Sequence, residues 1–530
     1  MCGIVGYVGY DEAAGKIIEG LKKLEYRGYD SSGIAILSDK GIELNKCKGE
    51  IKNLENMIAG RVPSGTCGIG HTRWATHGAP SDVNSHPHMD QSGRVALVHN
   101  GIVENYVELK EALINEHGIK FKSETDSEVI AQLVGVKYNA NGGDLEKAVY
   151  DATKEMRGTY AIGVIAEDTP NKIVAYRKEA PLIAGLGKKS NFIASDIPAL
   201  LKYTNDIFLI ENDEMVICTP DSITIKDKDG KEVKREAMKI TWSVEDAEKG
   251  GYEHFMLKEI NEQPKVVAET LNRRIDEDGK IKLDGINLTK EELDKYNKIY
   301  IVACGTAYHA GLVGKYVIEK MAGIAVEVDV ASEFRYRDPF IDEKTLFIAI
   351  SQSGETLDTL MSLRLAKEKG ARVLSVVNVV GSSIARESDD VFYTWAGPEI
   401  AVASTKAYTT QLVCMYLIAL YLGDIRGTLT DEYRKFILEE LQQIPEKIQE
   451  ILEEAPYIEK LAKRLYNKTQ VFFIGRGLDS AVAYEGSLKL KEISYINSFA
   501  IAAGELKHGT IALMEPDTVV VAMATQDRLF

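Results

Sequence analysis

The chain has 530 residues, enough for three or four domains of about 100–200 residues each. Apolar residues make up 45% of the sequence and charged residues 27%, which is ordinary for a globular protein and excludes a fibrous or disordered chain. The net charge of −16 argues against a nucleic-acid-binding surface, because such surfaces need clustered lysine and arginine.

No segment of the sequence has the pattern of a membrane span or a secretory signal. The longest apolar run, 412–422, is much shorter than the ~20 residues that cross a bilayer. The start of the chain lacks the basic and apolar regions of a signal peptide. The six cysteines are scattered and form no CxxC pair, so we expect a cytoplasmic protein without a disulfide framework.

Short strands dominate the first part of the chain. A strand is predicted from Cys2 and an amphipathic helix over 11–24. Further strands are predicted at 33–37, 95–99, 161–166 and 173–176. The polar stretch 219–250, with a turn at 227–230, indicates a hairpin and a linker. After it, strands alternate with long helices, which predicts a parallel α/β sheet.

The second half contains an internal repeat at an offset of 172 residues. Three pairs of segments match in order: 299–305 with 471–477, 331–336 with 503–508 and, one residue out of register, 345–350 with 518–523. Chance similarity between buried strands is the alternative, but three ordered matches favour a duplication. The first copy continues beyond its third strand, whereas the second ends at Phe530, where its sheet is left with an unpaired edge. We therefore expect the chain to be part of a longer protein.

Cys2 directly follows the initiator methionine. Removal of Met1 would place an α-amine with a pKa of about 8 on the same residue as the thiol. Such an amine can act as the general base for the thiol without a histidine partner. A cysteine at this position is by itself usually an ordinary residue, so the neighbouring motifs decide its role.

Polar motifs between residues 70 and 127 supply the groups that a cysteine nucleophile needs. Five of the nine histidines lie within 71–99, but their spacing does not fit a metal site, so we expect no metal. Asn100 and Gly101 can direct a side-chain amide and a backbone N–H toward one oxygen, as an oxyanion hole requires. Arg73 can bind a carboxylate and Asp126 an ammonium group, which together would hold an amino acid such as glutamine.

These motifs resemble those of the class-II glutamine amidotransferases over about residues 2–215. The matching segments are Cys2-Gly-Ile-Val-Gly6, Glu25-Tyr-Arg-Gly-Tyr-Asp-Ser31, Gly70-His-Thr-Arg-Trp-Ala-Thr-His-Gly78 and His99-Asn-Gly101. The family consists of N-terminal-nucleophile (Ntn) hydrolases with an αββα sandwich. The resemblance implies Cys2 as nucleophile and Asn100 and Gly101 as oxyanion donors. It implies a glutamine site made by Arg73, Trp74, Thr76, His77 and Asp126, with Trp74 as a gate for ammonia or simply an aromatic contact.

A second group of polar residues follows strand-like runs in the repeat. Ser351-Gln-Ser-Gly-Glu-Thr356 opens a predicted helix over 356–369. Hydroxyl and N–H groups at a helix N-terminus can bind phosphate, although an ordinary helix cap is the alternative. Cys304-Gly-Thr306 and Ala403-Ser-Thr405 add hydroxyls where ligands bind in open parallel sheets. No dinucleotide or ATP motif occurs, so we expect no cofactor.

This half resembles a pair of sugar isomerase (SIS) domains. The resemblance implies a sugar-phosphate site made by Thr306, Ser351, Gln352, Ser353, Thr356, Val402 and Ser404. It also implies that Glu492, assisted by Lys489, moves a proton between sugar C1 and C2, the alternative being a solvated glutamate. The resemblance implies that His508 helps to open the sugar ring bound by the neighbouring subunit. It therefore also implies a homodimer.

The predicted architecture is a multi-domain α/β protein, with an N-terminal αββα Ntn-hydrolase sandwich followed by two SIS-type parallel-sheet domains, the second incomplete. The predicted ranges are 2–218 for the glutaminase, 219–289 for a hairpin and linker, 290–429 for the first SIS domain, 430–460 for a helical linker and 461–530 for the second SIS domain.

The combination implies an enzyme that makes glucosamine 6-phosphate and glutamate from fructose 6-phosphate and glutamine. Such enzymes end in a tail whose lysine forms a Schiff base with the sugar, and residues 510–530 contain no lysine. We therefore expect this chain to hydrolyse glutamine but not to aminate the sugar. One alternative is another class-II amidotransferase, such as the phosphoribosyl-pyrophosphate type, whose phosphoribosyl motif is not found. The other is a non-catalytic sugar-phosphate sensor, against which Cys2, Glu492 and His508 argue.

Overall fold

The fold is described from a computed structural model of the chain. It covers residues 2–25, 28–74, 78–240, 249–272, 274–275, 281–283, 285–286 and 288–527. The chain divides into two compact units, Met1–Glu248 and Lys249–Phe530, and each is described by itself.

The first unit consists mainly of strands. Its strands are β1 (Gly3–Gly9), β2 (Ser31–Ser38), β3 (Gly41–Lys48), β4 (Cys67–Arg73), β5 (His88–Met89), β6 (Val95–Val103), β7 (Gly158–Ala166), β8 (Ile173–Lys178), β9 (Ile183–Leu186), β10 (Ser190–Ala194), β11 (Asp206–Leu209), β12 (Glu214–Cys218), β13 (Ile223–Lys226) and β14 (Met238–Lys239). Its α-helices are α1 (Ala13–Lys22), α2 (Ile51–Ile58), α3 (Tyr106–His117), α4 (Asp126–Ala140) and α5 (Leu145–Glu155).

The strands form two antiparallel sheets that pack face to face. The order is β14-β11-β9-β10-β1-β4-β2-β3 in the eight-stranded sheet and β13-β12-β8-β7-β6-β5 in the six-stranded sheet. Alternate residues of β6 face opposite sides: Val98 packs with Ile4 between the sheets, whereas Leu97 packs with Val129 of α4. On the other outer face, Gly70 of β4 leaves room for Ile17 of α1. The four layers confirm the predicted αββα sandwich.

The second unit consists of parallel sheets and long helices. Its strands are β15 (Lys298–Ala303), β16 (Ala325–Val330), β17 (Thr345–Ser351), β18 (Arg372–Val377), β19 (Asp390–Tyr393), β20 (Gln470–Gly475), β21 (Asn497–Ala502) and β22 (Val519–Ala522). Its α-helices are α6 (Phe255–Asn272), α7 (Lys290–Leu293), α8 (Gly305–Ala322), α9 (Ala331–Phe334), α10 (Leu357–Glu368), α11 (Ser383–Glu387), α12 (Lys406–Arg426), α13 (Asp431–Glu453), α14 (Ala455–Leu465) and α15 (Leu478–Ser494).

The repeat found in the sequence recurs in the sheets. The five-stranded sheet has the order β16-β15-β17-β18-β19, and the three-stranded sheet the order β21-β20-β22. Strands β15 and β20 are therefore equivalent: each lies between the next two strands of its copy, with parallel pairing throughout. Both β20 and β21 begin 172 residues after their counterparts β15 and β16. The predicted α/β class with two parallel sheets is confirmed.

Helix α12 is a long, apolar helix of the second unit. Among the described residues it is the one helix that is long and apolar enough to cross a bilayer, and it is longer than the apolar run noted in the sequence. However, 61% of its most apolar 18-residue window is buried. Val413 and Leu417 pack with Ile301 of β15 in the main hydrophobic core, so α12 serves as a core helix of this unit.

The range 219–289, predicted as a hairpin and linker, is divided between the two units. Strand β13 pairs with β12 and β14 pairs with β11, so both belong to the sheets of the first unit. Helix α6 instead contributes Val267 and Leu271 to the core of the second unit. Within the predicted helical linker 430–460, α13 contributes Leu438 and Leu441 to the same core.

Candidate active sites

Cys2 lies at the start of the central strand of the first unit. The pairing of β1 with β4 aligns Gly3 with Thr72 and so brings Cys2 beside Trp74. The backbone N–H of Trp74 donates to Cys2 Sγ at 3.3 Å, and the sulfur lies 3.5 Å from Trp74 O. Cys2 is partly exposed, in contrast to the buried Cys47. An accessible thiol with an N–H donor directed at its sulfur is suited to nucleophilic chemistry.

Asn100 and Gly101 follow one another in β6 at the edge of the same site. The Asn100 side-chain Nδ2 donates to the backbone oxygen of Cys2 at 3.1 Å. Gly101 has a φ of +123°, and a Cβ at this position would lie 2.0 Å from the backbone oxygen of Thr159. Only glycine fits there. The structure therefore brings the predicted oxyanion residue Asn100 into contact with Cys2, with Gly101 next to it in the strand.

Arg73 and Asp126 carry opposite charges near this thiol. Arg73 is buried at the end of β4 and donates to the backbone oxygen of Gly78 at 3.2 Å. Burial lowers the pKa of Arg73, while the nearby Cys2 and Asp126 counteract this shift. Asp126 begins α4, and its carboxylate accepts the N–H of Val103 at 3.0 Å. Both charges are held by local hydrogen bonds in a buried setting, where a ligand's charged groups interact strongly.

Trp74, Thr76 and His77 are the other residues predicted to bind glutamine. Trp74 is 42% exposed, and its ring meets that of Tyr29 edge-on at 5.6 Å between centroids. Thr76 and His77 lie outside the described residues.

Buried histidines form a cluster behind Asn100. The rings of His71 and His86 stack with centroids 4.1 Å apart, and His88 meets His86 edge-on at 4.9 Å. Burial lowers the pKa of His71 to about 3 and holds the pKa values of His86 and His88 well below the ordinary range. The three rings are therefore neutral near pH 7. In the part of the chain that the structure describes, no three His, Cys, Asp or Glu side chains are grouped to hold a metal ion.

In the second unit, the loop from Ser351 to Thr356 lies at the carboxyl edge of the five-stranded sheet. The N–H of Gly354 donates to Ser351 Oγ at 3.0 Å, and Ser351 Oγ lies 3.1 Å from Thr356 Oγ1. Ser353 Oγ accepts the N–H of Glu355 at 3.2 Å. Thr356 is the N-cap residue of α10. The structure thus groups these hydroxyls around one tight turn at a helix N-terminus, together with Gln352 between them.

Thr306 on α8 contacts two charged residues of α15, Glu485 and Lys489. Its Oγ1 donates to Glu485 Oε1 at 2.9 Å and accepts from Lys489 Nζ at 3.0 Å. Lys489 Nζ also lies 3.2 Å from Glu485 and 2.6 Å from Glu492. His309 Nδ1 donates to the other oxygen of Glu485 at 2.6 Å. Burial raises the pKa of Glu485, but these partners outweigh it, so the net shift is downward and the carboxylate is charged.

Val402 and Ser404 lie on the loop that precedes α12. Val402 is 60% exposed, and Ser404 Oγ donates to the Glu399 carboxylate at 2.8 Å. The buried carboxylate of Glu259 on α6 holds this loop by accepting the backbone N–H of Ile400 at 2.6 Å and of Ala401 at 3.1 Å. Burial, and to a smaller extent Glu399, raises the pKa of Glu259 to about 7.

His508 follows a short 3-10 helix, Glu505–Lys507, and is exposed. Its backbone N–H donates to Glu505 O at 2.9 Å. Among the described residues, no hydrogen bond joins its ring to Lys489 or Glu492. The structure therefore groups Lys489 and Glu492 but leaves His508 apart from them.

The second copy has a different arrangement at its carboxyl edge. Asp479 of α15 accepts the Thr525 hydroxyl at 2.6 Å and the Thr525 N–H at 3.0 Å. Gln526 Nε2 donates to the backbone oxygen of Arg476 at 3.0 Å. The donors of Thr525, which follows β22, are thus bonded to a carboxylate of the chain itself.

Comparisons with known proteins cover both units. A profile described as "Glutamine amidotransferase domain" matches residues 71–202, and one described as "SIS domain" matches 292–421 and 464–530. Glutamine–fructose-6-phosphate aminotransferase (isomerizing) from Clostridium tetani is 59% identical over 530 residues, which are 100% of this chain and 86% of the relative. The chain belongs to the glutamine–fructose-6-phosphate aminotransferase family. The enzyme of that name from Caldanaerobacter subterraneus subsp. tengcongensis is 57% identical with the same coverage.

Among solved structures, the C-terminal domain of glucosamine-fructose-6-phosphate aminotransferase from Francisella tularensis is 45% identical, with a TM-score of 0.51. The match covers 53% of this chain and 79% of that one. Membership of the family decides against the phosphoribosyl-type amidotransferase and the non-catalytic sensor. The expectation that the chain retains only glutamine hydrolysis is not borne out, because relatives named for the complete aminotransferase reaction align with all of it.

The sequence analysis missed three residues: Glu485 and His71, which contact predicted site residues, and Glu259, which holds the loop that carries Val402 and Ser404. Glu485 lies four residues before Lys489 and seven before Glu492, a helical spacing that can reveal it in the sequence. His71 lies two residues before Arg73 in a strand, so alternation places both on one face. Glu259 contacts a loop 141 residues away, and no local pattern indicates that pairing.

Proposed function

We propose that this chain transfers the amide nitrogen of glutamine to fructose 6-phosphate, producing glutamate and glucosamine 6-phosphate. The first half-reaction is supported by two hydrogen bonds to Cys2. The Asn100 amide donates to its backbone oxygen, and the Trp74 N–H donates to its sulfur. The observation that supports the second is the contact of Lys489 with both Thr306 and Glu492. The relatives named above are of the isomerizing aminotransferase type, which supports both halves.

In the glutaminase step, Cys2 Sγ attacks the glutamine side-chain carbonyl after loss of Met1 has exposed the α-amine that accepts the thiol proton. Asn100 Nδ2 and the Gly101 N–H stabilise the tetrahedral oxyanion. Collapse of that intermediate releases ammonia and leaves a thioester on Cys2, which water hydrolyses to glutamate. Arg73 and Asp126 hold the α-carboxylate and α-ammonium of glutamine, together with Trp74, Thr76 and His77.

In the sugar step, the phosphate binds at the turn that contains Ser351, Gln352, Ser353 and Thr356, where α10 begins. Thr306, Val402 and Ser404 border the sugar. Glu492 moves a proton between C1 and C2, and the Lys489 ammonium, 2.6 Å from the Glu492 carboxylate, assists it. His508 opens the sugar ring.

We further propose a homodimer, in which each His508 serves the sugar site of the other subunit. Residues 2–218 are proposed as the glutaminase domain and 290–429 and 461–530 as the SIS domains, connected by 219–289 and 430–460. We propose that the protein acts in the cytoplasm, without nucleic-acid or membrane partners. Cys47, Cys67, Cys218, Cys304 and Cys414 form no disulfide in the part of the chain that the structure describes, which suits a reducing compartment.

The test is a paired assay of glutamate and glucosamine 6-phosphate, with Cys2→Ala and Cys47→Ala as matched variants. Cys2→Ala should abolish both products from glutamine, whereas Cys47→Ala should retain both. Ammonia release that rises on adding fructose 6-phosphate would support coupling of the two steps. Normal glutamate formation by Cys2→Ala would overturn the proposal.

A further inference from the structure

The Asn100 side chain has two ends that look alike in shape but not in chemistry. Only the NH2 end can donate to an oxyanion, because the Oδ1 end is an acceptor. An amide that turned over would present an oxygen to the developing negative charge. The oxyanion role proposed for Asn100 therefore requires that something fixes the orientation of its amide.

His71 supplies that constraint. Its Nε2 lies 2.9 Å from Asn100 Oδ1 and 3.0 Å from the backbone oxygen of His99. A backbone oxygen can only accept, so Nε2 of His71 must carry a proton and donate. The same N–H then selects the oxygen end of the Asn100 amide, and the opposite end, Nδ2, is directed to the side of Cys2.

The surroundings of His71 keep one tautomer at all pH values of interest. The residue is 1% exposed, and burial lowers the pKa of its ring to about 3. A neutral imidazole has a single proton, which the two acceptors hold on Nε2. The other nitrogen, Nδ1, is buried and has no hydrogen-bond partner among the described residues, which fits an unprotonated nitrogen. His86 stacks on the ring and fixes its plane.

We propose that His71 is a positioning residue that sets the orientation of the Asn100 amide for oxyanion stabilisation. This inference rests on the proposed glutaminase function. His71 is not a general base, because a ring with a pKa near 3 takes up protons poorly at neutral pH. Its contribution is to the transition state and passes through Asn100, so it should affect kcat rather than KM.

The experiment is a double-mutant cycle on glutamine hydrolysis by the full chain. His71→Leu should lower kcat by about 10- to 100-fold, with KM changed less than about twofold. Asn100→Ala should lower kcat by about 100- to 1000-fold. In the Asn100→Ala background, His71→Leu should have almost no further effect, because the amide that it orients is gone. A merely structural role would lower the residual activity by the same factor in both backgrounds.

A matched pair of polar variants keeps the test decisive if His71→Leu does not fold. The amide nitrogen of His71→Gln reaches about as far as Nε2 and should retain most of the activity, whereas the shorter His71→Asn should not. Nitrogen-15 spectra of histidine-labelled protein, assigned with His71→Gln, should show the Nε2-protonated tautomer from pH 5 to 8.

The outcomes separate this inference from the function on which it rests. Unchanged kcat in Asn100→Ala would contradict the oxyanion assignment itself. A large effect of Asn100→Ala together with full kcat in a folded His71→Leu protein would overturn the role of His71 alone. Additive losses in the double mutant, or an Nδ1-protonated tautomer, would overturn it equally.

Discussion

Lys489 Nζ donates a hydrogen bond to Thr306 Oγ1 at 3.0 Å, although 183 residues separate them in the chain. The contact joins α15 of the second repeat copy to the first turn of α8 in the first copy. Lys489 also bridges the carboxylates of Glu485 and Glu492. One ammonium group therefore connects a predicted sugar-binding hydroxyl with the predicted base.

Replacing the Lys489 ammonium group should lower amino-sugar synthesis without affecting glutamine hydrolysis. In Lys489→Met, the buried Glu485 and the neighbouring Glu492 both lose the ammonium that contacts their carboxylates. We expect glucosamine 6-phosphate formation to fall by roughly 100-fold, a typical loss for disturbed acid–base catalysis. Glutamine hydrolysis without sugar should be unchanged. Lys491→Met, at an exposed position of the same helix, is the control. Normal amino-sugar synthesis by Lys489→Met would show that the ammonium has no part in it.

The α-amine mechanism predicts that the N-terminus must be free at Cys2. A removable tag fused to the N-terminus should abolish glutamine hydrolysis, because the amide nitrogen then formed cannot accept a proton. Proteolytic release that leaves Cys2 as the first residue should restore the activity of the same sample. The measurement is glutamate formation before and after cleavage. Full activity in the uncleaved protein would exclude the amine as base.

Gly101 should tolerate no side chain. In Gly101→Ala, the new Cβ would approach the Thr159 backbone oxygen to 2.0 Å and the residue would keep an unfavourable φ of +123°. We expect a loss of at least about 2 kcal/mol in the free energy of unfolding, together with a lower kcat for glutamine hydrolysis. Gly15→Ala is the matched control, because no atom lies within 4 Å of a Cβ at that helical position. It should stabilise α1 by about 0.5–1 kcal/mol. Urea denaturation measures both, and equal midpoints would contradict the steric argument.

Glu259 should make stability depend on pH. Its folded-state pKa of about 7 lies above the ordinary value of 4.5, so between these values the unfolded chain has released a proton that the folded chain retains. Stability therefore falls as pH rises through this window, by up to about 3 kcal/mol. Glu259→Gln is neutral at every pH and keeps an oxygen for the Ile400 and Ala401 N–H groups. Its stability relative to wild type should increase from about pH 5 to pH 7.

The control for that experiment is Glu269→Gln, a half-exposed glutamate on the same helix. It should shift the urea midpoint equally at both pH values. A pH-independent difference for Glu259→Gln would show that the carboxylate is already ionised at pH 5. Glu259→Ala, which removes the acceptor altogether, should raise the KM for fructose 6-phosphate by releasing the loop that carries Val402 and Ser404.

The parts that could be predicted from sequence are those specified by short-range patterns. Cys2, Arg73 and Asn100 lie in compact motifs, and the strands of the repeat follow from runs of apolar residues. The contacts of His71 and Glu259 depend on how distant segments pair. The register of β1 against β4 is fixed by packing within the first unit. The position of α6 against the loop before α12 is fixed by packing within the second unit. Even the tautomer of His71 follows only from the two oxygens that the fold places beside it.

The Asp479–Thr525 contact distinguishes the two copies of the repeat. In the second copy, the donors of Thr525 at the carboxyl edge of the sheet are satisfied by a carboxylate of the chain itself. In the first copy, the hydroxyls of Ser351 and Thr356 at the corresponding edge bond to each other instead. Helix α15, which carries Asp479, also carries Glu485 and Lys489, and these two contact Thr306 of the first copy. Two copies that share one strand order thus have unequal tasks, because the second both satisfies its own edge and supplies side chains to the first.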